Sequence, residues 1–160
     1  MMSEPGNLIT PTPRMLKALV NQVLTWKDAI GELIDNAFDA DASRVVVHFT
    51  PNKALTVTDD GDGATSIVNM LTLGRHEASR HTRLGIYGVG LKEASLWAAK
   101  ELTITTTNNG VQRHAVIDWD RFMSGDSWDI GQHETRETSE DTGTVIRFGG
   151  LRVGPPRYDE

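Results

Sequence analysis

Two β-branched runs, "RVVVHFT" at 44–50 and "ALTVTDD" at 54–60, stand three residues apart, and that spacing removes most folds from consideration. A parallel pair needs a long crossover, so two strands joined by "PNK" form an antiparallel hairpin. Just before them, residues 26–39 carry apolar side chains at helical spacing. At about 100° per residue, Ile30, Leu33, Ile34, Ala37 and Ala40 fall on one side and Asp28, Glu32, Asp35, Asn36 and Asp39 on the other. Earlier still, "PRMLKALVNQVL" reads as a short amphipathic helix, with Thr12 as its cap and Pro13 in its first turn. Beyond the hairpin come a helix, "SIVNMLTL", and a stretch from Gly74 to Arg83 suited to a mobile loop. A glycine loop entering a helix follows, "GIYGVGLKEASLWAAK", and then four further strands, "ELTITTT", "VQRHAVIDW", "SWDIGQHETRE" and "GTVIRF". Helices first, interleaved elements next and strands last predict an α/β sandwich, with helices on one face of a mixed sheet.

Composition supports one packed domain: 160 residues, 38% hydrophobic and 24% charged, are ordinary globular values. Sixteen Lys and Arg against 22 Asp and Glu leave a formal charge of -6, which disfavours non-specific attraction to nucleic acid or anionic membrane. The chain has no cysteine, which excludes disulfides and thiolate metal sites. No apolar run is long enough to span a membrane, and "MMSEPGNLITPTPR" lacks the regions of a secretory signal. The expectation is a soluble, cytoplasmic protein.

Three features carry chemistry. The first is "GELIDNAFDADAS", residues 31–43, whose polar side holds acids and an amide and no Lys or Arg. Plain solvated surface is one reading. The other is a divalent cation: Mg²⁺ takes a few protein oxygens plus water and phosphate oxygens, and the neutral carbonyl of Asn36 binds a cation without repelling phosphate. Glu32, one turn away, is placed to orient and deprotonate a water. The second feature is "VTDDGDGA". It fails the calcium-loop pattern, because with Gly63 as the turn glycine the first and twelfth positions are Thr58 and Asn69. Either it is an ordinary acidic turn, or Asp59 accepts a hydrogen bond from a ring amine while Gly61 and Gly63 let the backbone approach a flat ligand. The third is "GIYGVGLKEAS", with glycines at 85, 88 and 90 before a helix, a suitable place for an anion. It is neither a Walker loop nor a dinucleotide fingerprint, since position 93 is Glu. Lys92 is either a phosphate contact or surface.

Taken in order, Glu32-x-x-x-Asn36, Asp59-x-Gly61-x-Gly63, Gly85-x-x-Gly88-x-Gly90 and Gly143-Thr144 resemble the GHKL ATPase superfamily of DNA gyrase, heat-shock chaperone, histidine kinase and MutL. The resemblance spans roughly residues 25–148. It implies a Bergerat two-layer sandwich with a mostly antiparallel sheet, ATP and Mg²⁺ as ligands, and a lid between Asp59 and Gly85. On the same resemblance Glu32 would be the general base, Asn36 the magnesium ligand and Asp39 an acid shaping the adenine and ribose end. Asp59 would read the adenine amine directly and through a water that Thr144 helps to hold. Gly85, Tyr87, Gly88, Val89, Gly90 and Leu91, with Lys92, would cradle the phosphates. Arg75, Arg80 and Arg83 fall in the lid, where solvated loop arginines are the alternative. "ELIDNAFDA" and "YGVGLK" look nearer to MutL and the MORC-type ATPases than to histidine kinases, which typically have Asn where this chain has Glu32.

The hydrolysing members draw a Lys or Arg for the γ-phosphate from a following transducer domain, whereas this chain ends soon after "GTVIRF". The expectation is therefore an arm (1–12), an ATP-binding domain (13–150) and a tail (151–160) leading toward a transducer that is absent or separate, with slow hydrolysis by the chain alone. An ATP-dependent homodimer is implied by the resemblance, and DNA or chromatin as partner only by analogy. Two alternatives stay open: a nucleotide-binding switch with little hydrolysis, and a histidine-kinase-like catalytic domain, disfavoured by Glu32. His48, His76, His81, His114 and His133 are scattered and read as surface or strand positions. Trp26, Trp97, Trp119 and Trp128 read as packing residues.

Overall fold

The computed structural model describes residues 24–71, 90–124, 134–137 and 141–154. The early helix, the arm, the Gly74–Arg83 stretch, Gly85, Tyr87, Gly88 and Val89, Trp128 and the end of the tail lie outside these.

Helix α1 runs from Trp26 to Asp39. It starts there because Thr25 and Asp28 form a reciprocal cap: the Asp28 N–H donates to Thr25 Oγ1 at 3.2 Å, and the Thr25 N–H donates to Asp28 Oδ2 at 2.9 Å. The buried stripe is Trp26, Ala29, Leu33 and Ala37, rotated from the expected Ile30, Leu33, Ile34, Ala37 and Ala40. Trp26 causes the rotation. Its ring meets Phe49 and Trp97 edge to face, at 5.5 and 5.3 Å between centroids, and its Nε1–H donates to the Gly154 carbonyl. The turn leaves Glu32 and Asn36 half-buried on the flank of the stripe rather than opposite it.

Strands β1 (Val45–Thr50) and β2 (Ala54–Asp59) form the expected hairpin. Short helix α2 (Ile67–Leu71) follows; α3 (Leu91–Ala98) then passes straight into β3 (Ala99–Asn108). Next come β4 (Val111–Asp118), helix α4 (Trp119–Ser124), β5 (Glu134–Glu137) and β6 (Gly143–Leu151). Helix α4 was not expected from sequence. Its signal is Asp118, whose Oδ1 accepts the Arg121 N–H at 3.0 Å as an N-cap does. The strand order is β1-β2-β6-β3-β4-β5, and every pairing in it is antiparallel.

Alternation places Leu55, Val57, Leu102, Ile104, Ala115, Ile117, Ile146 and Phe148 on one face, buried beneath α1 and α3, while Val116 and Val145 face outward. All eight residues of α3 are buried. Trp26, Trp97 and Trp119 are core residues, as expected. No helix among the described residues is long and apolar enough to cross a membrane. The consequence for the site lies in β6: late in the chain, it inserts between β2 and β3 and brings Thr144 directly opposite Asp59.

Candidate functional site

Asp59 ends β2 on the helix-covered face, in register with Leu55 and Val57. Its Oδ1 accepts the Gly61 N–H at 2.9 Å. Burial raises its pKa, and the backbone N–H groups of Gly61 and Thr144 oppose that rise. The neighbouring acid behaves differently. Asp60 is spent on the protein itself, accepting the N–H groups of Ser43 and Arg44 at 2.8 Å each and the Ser43 hydroxyl at 2.6 Å, and these bonds lower its pKa. Of the two acids in "TDDG", Asp59 is thus the one whose carboxyl is half-buried beside the end of β6.

The glycines after Asp59 have protein neighbours that account for them. A Cβ on Gly61 would stand 2.7 Å from the Ala40 carbonyl oxygen, where the chain leaving α1 crosses the turn. Gly63 has φ +72°, and a Cβ there would collide with the Thr107 carbonyl. The turn is pinned by the Asp62 N–H donating to Ala40 O at 2.8 Å and by Asn108 Nδ2 donating to Asp62 O at 2.8 Å. Glycine here lets the Asp59 turn sit against α1 and β3, so the last turn of α1 and the carboxyl of Asp59 are held to one another.

The next turn back along α1 carries Glu32 and Asn36. The pKa of Glu32 is pushed up to about 7, first by burial, then by Asp35 and Glu93, with Asp39 adding to the rise and a hydrogen bond from Asn36 opposing it. Glu93 is the residue that sequence reasoning missed. It lies in the first turn of α3, 8% exposed, close enough to Glu32 to act on its charge. Its signal in the sequence was only its identity as a non-glycine after the glycine loop. Lys92 beside it is also buried, which lowers its pKa while Glu93 opposes the shift. Gly90 caps α3 without any side-chain bond, and Leu91 is buried behind it. Asp39 is exposed on the final turn of α1.

The structure thus sets Thr144 of β6 opposite Asp59, holds the Gly61 turn against the end of α1, and brings Glu32 and Asn36 of α1 near Glu93 in the first turn of α3, which Gly90, Leu91 and Lys92 begin. Gly85, Tyr87, Gly88 and Val89, with Arg75, Arg80 and Arg83, fall outside the described residues. Among the described residues no group of three His, Cys, Asp or Glu is arranged to hold a metal by itself. The donor set nonetheless suits a hard cation held by one protein oxygen plus water and phosphate. Asn36 offers a neutral oxygen one turn from Glu32, whose pKa is raised first by burial and then by the negative charges of Asp35 and Glu93.

Residues 24–146 match the family described as histidine kinase-, DNA gyrase B-, and HSP90-like ATPase. ATPase morc-1 of Caenorhabditis elegans is 35% identical over 88 residues, covering 52% of this chain and 10% of that protein. MORC family CW-type zinc finger protein 3 of Mus musculus is 34% identical over 116 residues, 61% of this chain and 12% of the relative. DNA mismatch repair protein MutL of Thermus thermophilus is 35% identical over 100 residues, 59% and 18% respectively. The chain thus spans less than a fifth of the length of each of these relatives. A solved structure, the N-terminal domain of a DNA repair protein, superposes with a TM-score of 0.58 at 23% identity, covering 86% of this chain and 39% of that one. Matched over most of its length, with the two-layer antiparallel architecture and the motif order in agreement, the chain belongs to the histidine kinase-, DNA gyrase B- and HSP90-like (GHKL) ATPase family.

Proposed function

We propose that this domain binds Mg·ATP and hydrolyses it slowly, with Glu32 as general base. The observation that carries the reading is the half-buried Glu32 carboxyl, its pKa raised to about 7 one turn from Asn36, where a base working near neutral pH belongs. Asp59 accepts from the amine of the base and Thr144 sits at its side. The start of α3, with Lys92, faces the phosphates. Bound Mg²⁺, held through Asn36, would neutralise phosphate charge. Glu32 takes the proton of a water whose oxygen attacks the γ-phosphorus; the new P–O bond forms as the bond to the β,γ-bridging oxygen breaks, giving ADP and phosphate.

Slow turnover is part of the reading, because a cation at the transferring phosphate is worth about 10³-fold or more in such reactions and relatives of this type draw it from a further domain. Closure of the segment between Asp59 and Gly85 and pairing of two copies on ATP would complete the cycle. DNA is a candidate partner only through the relative named as a mismatch repair protein. A second reading, a nucleotide switch with little hydrolysis, is favoured by the same raised pKa: near neutrality much of Glu32 is protonated and cannot take a proton.

The test is calorimetric titration with a non-hydrolysable ATP analogue, with and without Mg²⁺, followed by phosphate release from ATP. Binding that needs Mg²⁺ and turnover lost in Glu32→Ala support the ATPase. Binding without turnover selects the switch, and no binding by a folded sample overturns both.

A further inference from the structure

We propose that Thr106 is a positioning residue for base selectivity, fixing the Thr144 hydroxyl as a hydrogen-bond donor toward the ligand; the proposal rests on the nucleotide reading above. Thr106 lies on β3 with 0% exposure, on the same inward face as Leu102 and Ile104. A hydroxyl at such a place is costly unless bonded, and valine would satisfy the strand equally well. Its bonds explain its presence. Thr106 Oγ1 accepts the Ala64 N–H at 2.7 Å, tying β3 to the turn that follows Asp59. Its single proton has two acceptors in reach, Thr144 Oγ1 at 3.0 Å and the Gly143 carbonyl at 3.5 Å. Either hydroxyl can be the donor of the first contact; since only that contact lies within the ordinary O–H···O range, we assign the Thr106 proton to Thr144.

Polarity then propagates. Having accepted from Thr106, Thr144 has its own proton to give, and its register partner is Asp59, a carboxylate that only accepts. An acceptor beside a donor matches the adenine edge, where the 6-amino group donates and N1 accepts. The same pair opposes guanine, whose O6 accepts and whose N1–H donates. Without the Thr106 hydroxyl, Thr144 is free to turn and the pair no longer distinguishes the two edges.

The test titrates the intact chain with the β,γ-imido analogues of ATP and GTP in Mg²⁺, for wild type, Thr106→Val and Thr106→Ser. Thr106→Val should weaken the adenine analogue about tenfold and the guanine analogue less than about twofold, and Thr106→Ser should restore adenine binding to within about threefold of wild type. In a Thr144→Val background, Thr106→Val should add less than about twofold, because its effect runs through Thr144. Thr106→Ala, which leaves room for a water at the Ala64 N–H, serves if the valine variant does not fold. Equal loss of both analogues, or full additivity with Thr144→Val, overturns the proposal while leaving the nucleotide site intact. Failure of the wild type to bind either analogue overturns the site itself.

Discussion

Asp59 and Thr144 stand opposite each other across the β2–β6 pair, the last residue of one strand against the second of the other, although 85 positions of chain order, 144 less 59, separate them. Directly opposed residues in an antiparallel pair present their side chains on one face. Here that face is the one covered by α1 and α3, and the Thr144 N–H is directed at the Asp59 carboxyl. The proposed base subsite would therefore be built by strand register, and changes to it should separate from changes to the neighbouring turn.

Asp59→Asn should abolish binding of an ATP analogue, at least about 100-fold by calorimetry, because it replaces one acceptor oxygen with a donor facing an amine. Asp60→Asn should lower the melting temperature through loss of its bonds to Ser43 and Arg44, and keep affinity within about threefold. Equal loss of binding in both would sink the assignment of Asp59.

Glu32→Gln should keep Mg-dependent binding within a few-fold and reduce phosphate release by about 10²- to 10⁴-fold, the usual range for loss of a general base. Single-turnover measurement at saturating ATP isolates the chemical step. Unchanged release would place the base elsewhere.

The pH dependence of stability follows from the same carboxyl. The folded pKa of Glu32, about 7, lies above its ordinary 4.5, so the native state binds this proton more tightly than the unfolded chain does. Its contribution is fully present below about pH 4.5 and is lost as pH rises through about 7. Glu32→Gln should therefore stabilise the ligand-free protein more at pH 8 than at pH 4, by on the order of 1 kcal/mol, since solvent screens a half-exposed carboxyl. Denaturant melts of both proteins at the two pH values measure the difference, and the opposite sign would refute the burial account.

Gly63→Ala should destabilise by roughly 2 kcal/mol or more, combining a left-handed backbone with a collision against the Thr107 carbonyl. Gly31→Ala, in the middle of α1 with nothing within 4 Å of the added carbon, should stabilise by about 0.5–1 kcal/mol. Urea melts of the two variants against wild type give both signs.

Local pattern made much of the fold legible. The bounds of α1, the hairpin of β1 and β2, and strands β3, β4 and β6 follow from side-chain period and β-branching, with the strand ends displaced by a few residues. The order of motifs was likewise enough to place the chain in its ATPase family. Helix α4 escaped because six residues show too little periodicity, leaving only the cap at Asp118. The buried face of α1 keeps the expected Leu33 and Ala37 but is turned toward Trp26 and Ala29, leaving Ile30, Ile34 and Ala40 half-buried, because counting apolar residues could not weigh Trp26, whose partners Phe49, Trp97 and Gly154 lie far along the chain.

Sequence by itself determined which residues can donate, accept or take a proton, since those properties belong to side-chain type, and it determined the local elements that carry them. Tertiary structure alone decided which of them meet. The insertion of β6 between β2 and β3 sets Thr144 against Asp59 and Thr106, and the packing of α3 on α1 sets Glu93 near Glu32. Such pairings are chosen by burial of apolar faces over the whole sheet, a non-local sum that no short stretch of chain contains.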